Sequence, residues 1–156
     1  MRLSSFVIIE KDNHYLLISE SSPKWKGTWF FPGGHCEKNE DPVSAAIRET
    51  KEEAECDVVL DGMVYFKLQK GLLQDSLHVY YHGRTSRDVV KTEINEHSMG
   101  SKWFTYEELL DLPLRDDTLH VINLYRALKT TLPVYCFNYL RDDQPYKIDP
   151  KYFDPF

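Results

Sequence analysis

Residues 33–56 read GGHCEKNEDPVSAAIRETKEEAEC and set three glutamates on one helical face behind a glycine loop. Glu49, Glu52 and Glu53 are spaced i, i+3 and i+4, so their carboxylates project together from a helix. Like charges at this spacing destabilise a bare helix by roughly 0.3 kcal/mol per pair. We therefore expect a cation to offset the repulsion, and a divalent metal ion is the leading candidate.

The helix that carries these glutamates is predicted to run from Pro42 to about Glu55. Asp41 supplies an N-cap acceptor, and Pro42 has no N–H to leave unpaired at the first helical position. The apolar stripe predicted for its buried face comprises Val43, Ala46, Ile47, Thr50 and Ala54.

Composition and charge narrow the class of protein. The chain has 156 residues, of which 42% are hydrophobic and 28% charged, so we expect a single globular domain over residues 1–156. The net charge of −6 disfavours a nucleic-acid backbone as the main partner. A phosphorylated small molecule is compatible with this charge if metal ions neutralise the phosphates.

The cysteines and the N-terminus favour the cytoplasm. Cys36, Cys56 and Cys136 are odd in number and form no CxxC pair, so neither a disulfide framework nor a zinc knuckle is predicted. The apolar run near the N-terminus is too short for a secretory signal, and no segment reaches the length of a membrane span.

Strands surround the predicted helix, and short connections favour mixed, largely antiparallel pairing. Before the helix, the predicted strands are 5–10 and 14–20, joined by a tight hairpin, and an aromatic strand over 28–31 that ends at Pro32 and the glycines. After it, they are 57–60, 63–69, 76–82 and 102–104, with a surface loop over 88–100. Thr105 and Glu108 form a capping box for a brief helix, and a longer helix is predicted over 117–129 with Leu119, Ile122 and Leu128 on its buried side.

The last stretch, 131–156, holds four prolines and many aromatic residues. We interpret it as an extended strap packed over the domain. A homodimer contact or a lid over the substrate are the alternatives left open.

The glutamates belong to a longer pattern of charged residues that resembles the Nudix box. Gly34, Glu40, Arg48, Glu49, Glu52 and Glu53 stand at the intervals of that motif, and the lead-in Gly27-Thr28-Trp29-Phe30-Phe31-Pro32-Gly33-Gly34 is similar as well. The resemblance covers about residues 3–130 and implies an α/β fold in which a mixed β-sheet is sandwiched between helices. A solvated, salt-bridged helix face would have to produce the glycine loop, Glu40 and the lead-in by coincidence.

Three positions depart from the motif. Thr50 and Cys56 replace aliphatic residues and can still be buried. Glu55 replaces a glycine, and a glutamate adopts the left-handed conformation at a cost of about 1 kcal/mol, so we expect a helix end of different shape. None of the implied ligands is lost.

The family resemblance implies metal-assisted cleavage of a diphosphate bridge. Mg²⁺ or Mn²⁺ would neutralise the charge that develops on phosphate oxygens, with Glu49, Glu52, Glu53 and the Gly33 carbonyl as ligands. Arg48 would orient the glutamates, and Glu40 would brace them. The general base is a box glutamate or a loop residue, for which Glu96, Glu93 and His97 are the candidates, although a loop carboxylate such as Glu96 is most often merely hydrated.

Residues outside the box offer weaker indications of the substrate. Lys24 and Lys26 are candidate phosphate contacts, and the aromatic residues 29–31 either stack a nucleobase or pack in the core. The segments Lys91-Thr92, Trp103-Phe104 and 112–117 resemble the branch that hydrolyses oxidised purine nucleotides such as 8-oxo-dGDP or 8-oxo-dGTP. The expected partner is thus a nucleoside diphosphate derivative, and the competing class is a Nudix-fold module that binds a nucleotide without cleaving it.

Overall fold

Strand β1 (Arg2–Lys11) is the centre of the fold, because three other strands pair with it. The computed structural model of the protein describes residues 1–86, 91, 94, 97–115 and 117–128. The elements that follow β1 are β2 (His14–Glu20), β3 (Trp29–Phe30), β4 (Gly33–His35), α1 (Pro42–Ala54), β5 (Val59–Gln69), β6 (Ser76–Arg84), β7 (Ser98–Thr105), α2 (Tyr106–Leu109) and α3 (Thr118–Leu128).

The strands form a mixed sheet of order β3-β2-β1-β6-β5, with β4 also paired to β1 and β7 to β2. Strand β6 runs parallel to β1 over residues 2–9, and the other pairs are antiparallel. On its opposite edge β1 pairs first with β4 and then, near its end, with β2. The mixed, largely antiparallel sheet predicted from the sequence is confirmed.

Two hydrophobic clusters cover the two faces of this sheet. Side chains of α1 such as Val43 and Ala46 pack with Val7 and Val79 on one face, and side chains of α3 such as Ile122 pack with the other. On that second face lie aromatic residues of the strands, namely Phe6, Tyr15, Phe30, Tyr80 and Phe104. The sheet therefore lies between helices, as predicted.

Local chemistry explains the hairpin between β1 and β2. Asp12 and Asn13 have φ values of 50° and 62°, and Lys11 pairs with His14 across them. A two-residue loop with both central residues at positive φ matches the right-handed twist of the flanking strands, and Asp and Asn tolerate that conformation.

The strand boundaries correct the sequence prediction in three places. Strand β7 begins at Ser98, four residues before the predicted strand 102–104, because it pairs with β2; residues 98–100 therefore do not belong to the predicted surface loop over 88–100. The predicted strands 57–60 and 63–69 are one strand, β5, with register shifts against β6 near Gly62 and Val64 that mark β-bulges rather than a turn. Gly33–His35 forms β4, although its glycines were predicted only to end a strand; pairing with Ser4–Phe6 of β1 holds it extended.

The remaining predicted elements are close to those observed. The capping box of Thr105 and Glu108 is present at α2, and α3 begins at Thr118, one residue later than predicted, and is described as far as Leu128. Leu128 is 54% exposed and not buried as predicted, because it lies at the last position of the helix, beyond the packed residues Val121 and Ile122. The segment 131–156 lies outside the described residues. In the part that is described, no helix has the length and hydropathy needed to cross a bilayer.

Candidate functional site

The start of α1 is fixed by the Asp41 side chain. Its Oδ1 accepts hydrogen bonds from the N–H groups of Val43 and Ser44 at 2.9 Å each, and its Oδ2 accepts one from the Ser44 hydroxyl at 2.7 Å. These contacts satisfy backbone donors that have no partner within the helix. On the buried side, Thr50 is fully buried and donates its hydroxyl to the Ala46 carbonyl at 2.7 Å, so it substitutes for the aliphatic residue without loss of burial.

The end of α1 keeps the shape that a glycine would give it. Glu55 takes a left-handed conformation (φ 54°, ψ 25°), and its N–H donates to the Lys51 carbonyl at 3.0 Å. The expectation of a differently shaped end is therefore wrong. Glu55 is exposed, so its side chain meets no obstacle, and its backbone follows the usual left-handed cap.

Two side chains from outside α1 donate hydrogen bonds to the backbone carbonyls of Glu52 and Glu53. Lys91, only 2% exposed, donates its Nζ to the Glu52 carbonyl at 2.6 Å, and the Ser98 hydroxyl donates to the Glu53 carbonyl at 2.6 Å. Carbonyls in the last turn of a helix lack partners within the helix, so these bonds hold the backbone under both glutamates. The sequence reasoning had not assigned this role to either residue.

Arg48 connects the carboxylates of the motif. Its Nε and Nη2 bind the two oxygens of Glu40 at 2.8 and 2.9 Å, and its Nη1 lies 3.0 Å from Glu49 Oε1 and 3.0 Å from Glu52 Oε2. Its Nη2 also donates to the His35 carbonyl at 3.2 Å. The contacts implied for Arg48 and Glu40 are thus present.

Strand β4 approaches the same carboxylates from the other side. The Gly33 N–H donates to Glu53 Oε2 at 2.8 Å. A Cβ built on Gly34 would lie 2.5 Å from Glu49 Oε1, and one on Gly33 would collide with the Ser5 carbonyl. Glycine is therefore required at position 33, where φ is also +144°, whereas a side chain at position 34 would displace the Glu49 carboxylate.

Burial perturbs the carboxyl groups of this cluster. Burial raises the pKa of Glu53 well above its usual range. The hydrogen bond from Gly33 lowers this pKa, and the negative charges of Glu49 and Glu20 raise it further. Burial also raises the pKa of Glu49, although Arg48 opposes the effect. In contrast, the hydrogen bonds from Arg48 lower the pKa of Glu40. Glu49 and Glu53 are thus carboxylates whose ionised form a further cation would stabilise.

The donor set fits a hard divalent cation. As they stand, no three His, Cys, Asp or Glu side chains within the described residues are grouped so as to hold a metal ion. Glu49 and Glu52 face Arg48, and Glu53 faces the Gly33 N–H. All the candidate donors are nevertheless oxygens, carried by helix α1 and the adjacent strand β4, and oxygen is the ligand type that Mg²⁺ and Mn²⁺ prefer.

Of the three candidate loop bases, His97 belongs to the described part of the structure. His97 Nδ1 lies 3.8 Å from Glu52 Oε2, which brings it to the edge of the carboxylate cluster. Glu93 and Glu96 lie outside the described residues. Among the aromatic residues, Phe30 and Phe31 are each 1% exposed and pack in the core, whereas Trp29 is partly buried against Phe104 at a centroid distance of 4.8 Å.

A pocket of about 700 Å³ adjoins the cluster on the face of the sheet that carries α3. Lys24 lines it and Lys26 does not, so the structure separates the two lysines that the sequence proposed together. His35 links the pocket to the cluster, because its side chain lines the pocket while its carbonyl accepts from Arg48. Arg115, from the segment 112–117 that the sequence linked to the substrate, also lines the pocket. His78 lines it too and was not predicted, since only strand pairing brings it near His35.

Comparisons with known protein families, sequences and structures all indicate the family that the motif resembles. The NUDIX domain family matches residues 1–125. An RNA pyrophosphohydrolase of Pelagibacter ubique is 30% identical over 132 residues, covering 74% of this chain and 82% of that protein. An ADP-ribose pyrophosphatase of Methanocaldococcus jannaschii is 48% identical over 46 residues, covering 30% of this chain and 27% of that protein. A NUDIX hydrolase structure from Nitrosomonas europaea has a TM-score of 0.71 at 21% identity, covering 83% of this chain and 91% of that one.

Proposed function

Because the chain belongs to the Nudix family of pyrophosphohydrolases, which act on nucleoside diphosphate derivatives, we propose that it cleaves a phosphoanhydride bond with the help of Mg²⁺ or Mn²⁺. The reaction adds water across a P–O–P bridge and yields two phosphate products. Its substrate is a nucleoside diphosphate linked to another group.

The observation that carries this proposal is the contact of strand β4 with the motif. Each of its three residues touches a different member: Gly33 touches Glu53, Gly34 lies against Glu49, and His35 binds Arg48 through its carbonyl. A solvated acidic helix face has no reason to be packed against a glycine strand in this way. The packing supports a built site at which phosphate and metal meet.

Glu49, Glu52, Glu53 and the Gly33 carbonyl are the groups that would hold the metal. When bound, Mg²⁺ supplies positive charge to the phosphate oxygens and makes the attacking water more acidic. Arg48 is a positioning residue, because it contacts three carboxylates at 2.8 to 3.0 Å and so restricts their rotamers. Lys91 and Ser98 support the site indirectly, because they donate hydrogen bonds to the backbone carbonyls of Glu52 and Glu53.

The proton released by the attacking water passes to a carboxylate of the motif or to Glu93, Glu96 or His97. His97 lies close enough to Glu52 to share a water with it, since Nδ1 and Oε2 are 3.8 Å apart. Single variants at Glu93, Glu96 and His97 distinguish these choices. Only the variant that removes the true base should alter the acidic limb of the plot of rate against pH.

Within this class of substrates we propose oxidised purine nucleotides, 8-oxo-dGDP or 8-oxo-dGTP. The proposal rests on the sequence resemblance of segment 112–117, which contributes Arg115 and Asp117 to the pocket. A rate that is higher for 8-oxo-dGDP than for dGDP supports it, and equal rates contradict it.

A turnover screen tests the function. The purified chain is assayed with Mg²⁺ and with Mn²⁺ on oxidised nucleotides, ADP-ribose, dinucleoside polyphosphates and nucleotide sugars. A 5′-triphosphorylated RNA is included because an RNA pyrophosphohydrolase is among the similar proteins. Incorporation of ¹⁸O from labelled water into a phosphate product identifies hydrolysis. Saturable nucleotide binding without turnover on the whole panel would instead support a catalytically silent binding module.

A further inference from the structure

The pocket beside the carboxylate cluster has a polar floor made by four strands. Lys67 of β5 pairs with His78 of β6, His78 pairs with Ser4 of β1, and Ser4 pairs with His35 of β4. Two residues further along β1 and β6, the same sheet face carries the buried aromatic pair Phe6 and Tyr80. The floor is thus a polar row at the end of an otherwise aromatic face.

Positive charge predominates around this floor. The described residues that line the pocket include four cationic side chains, Arg2, Lys24, Lys67 and Arg115, and one carboxylate, Asp117. Asp117 pairs with Lys67, and Arg115 is held by Glu20 at 2.7 Å from outside the pocket lining. Because the protein carries a net charge of −6, a lining with this excess of cations is a local feature and favours an anionic ligand.

Trp25 forms the aromatic wall of the pocket, and its ring already contacts two cationic side chains. Lys24 Nζ lies 4.6 Å from the Trp25 ring centroid, and the Arg115 guanidinium lies 5.3 Å from it. The guanidinium also lies 4.1 Å from the Phe30 ring. Cation–π contacts hold these side chains in place and compete with a nucleobase for the ring, so the wall is better suited to present charge than to stack a base.

The floor holds an unsatisfied polar atom. His78 is 9% exposed, and its Nδ1 has no hydrogen-bond partner among the residues that the structure describes. Its Nε2 lies 3.1 Å from the Ser76 hydroxyl. Leaving a buried polar atom unpaired costs about 1–3 kcal/mol, so such an atom at the floor of a pocket indicates a ligand that completes it. With the Ser76 hydroxyl donating to Nε2, Nδ1 carries the proton and is a donor without a partner among the described residues.

We propose that this pocket binds a phosphate monoester carried by the substrate at a position away from the cleaved anhydride. Lys24, Arg2 and Arg115 supply charge, and His78 Nδ1 supplies a directional hydrogen bond. The inference rests on the proposed hydrolysis and not on the oxidised-purine assignment. 8-oxo-dGDP carries no phosphate monoester apart from its diphosphate, so the two substrate proposals compete for this pocket, and the substrate pairs below decide between them. His35 connects the subsite to the carboxylate cluster, because its side chain lines the pocket and its carbonyl accepts a hydrogen bond from Arg48.

Matched substrate pairs test the proposal. NADPH differs from NADH, and coenzyme A from dephospho-coenzyme A, by one phosphate monoester, while the scissile anhydride is the same. We expect kcat/KM to be at least about tenfold higher for the phosphorylated member of a pair. Equal or reversed values in both pairs would overturn the proposal while leaving hydrolysis itself established.

Two lysine variants locate the effect. Lys24→Gln removes a charge that lines the pocket, and Lys26→Gln removes one from an exposed lysine two residues away that does not line it. The preference for the phosphorylated member should fall at least about threefold in Lys24→Gln and persist in Lys26→Gln. An equal fall in both variants would show general charge attraction and would contradict a defined subsite.

A binding measurement separates this proposal from the proposed function. Adenosine 2′,5′-bisphosphate and AMP contain no anhydride, so calorimetric titration with them needs no turnover. The bisphosphate should bind at least about tenfold more tightly, and Lys24→Gln should reduce that ratio. If no substrate turns over, this ratio alone decides the pocket proposal: a ratio near one overturns it, and a retained, Lys24-dependent ratio supports it.

Discussion

Gly34 lies directly against the carboxylate of Glu49, so that a Cβ at position 34 would be 2.5 Å from Oε1. Real Cβ atoms do not approach an oxygen this closely, and the Glu49 side chain would have to move. The close approach means that the glycine of β4 sets the position of a carboxylate on α1.

Gly34→Ala should therefore lower activity more than stability. The displaced atoms belong to the end of a flexible side chain, so the fold can adjust, but Glu49 loses its place beside Arg48. We expect kcat/KM to fall at least about tenfold, in line with the loss caused by misplaced supporting groups at metal sites. Steady-state kinetics and thermal melting of the same preparations measure the two effects. Unchanged kinetics would show that the Glu49 position is not required.

Glu52→Gln should reduce turnover by at least about a hundredfold, because it removes a charge that would stabilise the transition state through the metal. Glu55→Gln is the matched control. It makes the same chemical change three residues along, at an exposed position outside the carboxylate cluster. Metal titrations followed by activity should shift for Glu52→Gln and stay unchanged for Glu55→Gln. A similar loss in both variants would indicate a general effect of charge at the helix end.

Lys91→Met should destabilise the fold. The substitution keeps most of the buried volume but removes the hydrogen bond from Nζ to the Glu52 carbonyl. A hydrogen bond from a charged donor is worth about 1.5–3 kcal/mol, so the free energy of unfolding should fall by about that amount. Urea denaturation measures it, and Lys38→Met at an exposed position is the control. Equal stability of the two variants would mean that water replaces Lys91 at the helix end without cost.

Stability should fall in mild acid because of His78. Burial, assisted by the charges of Lys67 and Arg115, lowers the pKa of His78 to about 4 from an ordinary value of 6.5. Between these values the unfolded chain binds a proton that the folded protein does not. The contribution is therefore fully present above pH 6.5 and is lost as the pH falls towards 4, by up to about 3 kcal/mol.

Urea unfolding of the wild type and of His78→Gln, at pH values from 7.5 to 4.5, isolates this contribution. The unfolding free energy of the wild type minus that of His78→Gln should decrease as the pH falls, because only the wild type has the imidazole that the unfolded chain protonates. Parallel curves would contradict the prediction, whatever other groups do to the absolute values.

Sequence reasoning succeeded where the cause is local. The acidic face of α1 follows from helical spacing, its start from Asp41 and Pro42, and the first hairpin from Asp12 and Asn13. In each case the residues that determine the structure lie within a few positions of each other. The same holds for the capping box at Thr105.

Where the cause is an interaction across the fold, the sequence prediction was wrong or silent. The sequence predicts a break at Gly62 between two strands, but continued pairing with β6 carries β5 through this position, with a β-bulge between Leu60 and Gly62. Gly33–His35 has little strand propensity and is extended because β1 pairs with it. The pocket depends on His78 and Arg115, whose proximity is created by the sheet and by the segment before α3. The end of α1 was mispredicted because a left-handed glutamate is uncommon rather than forbidden.

Strand β4 contacts both the proposed cleavage site and the proposed phosphate subsite. Ser5 pairs with Gly34, and Ser4 pairs with His35. A slip of one residue along β1 would reverse the side of the sheet to which each residue of β4 points. It would push an imidazole towards the Glu49 carboxylate and withdraw it from the pocket in the same movement. The proposed cleavage site and the proposed subsite therefore depend on the same three-residue pairing, and a change of register would alter both together.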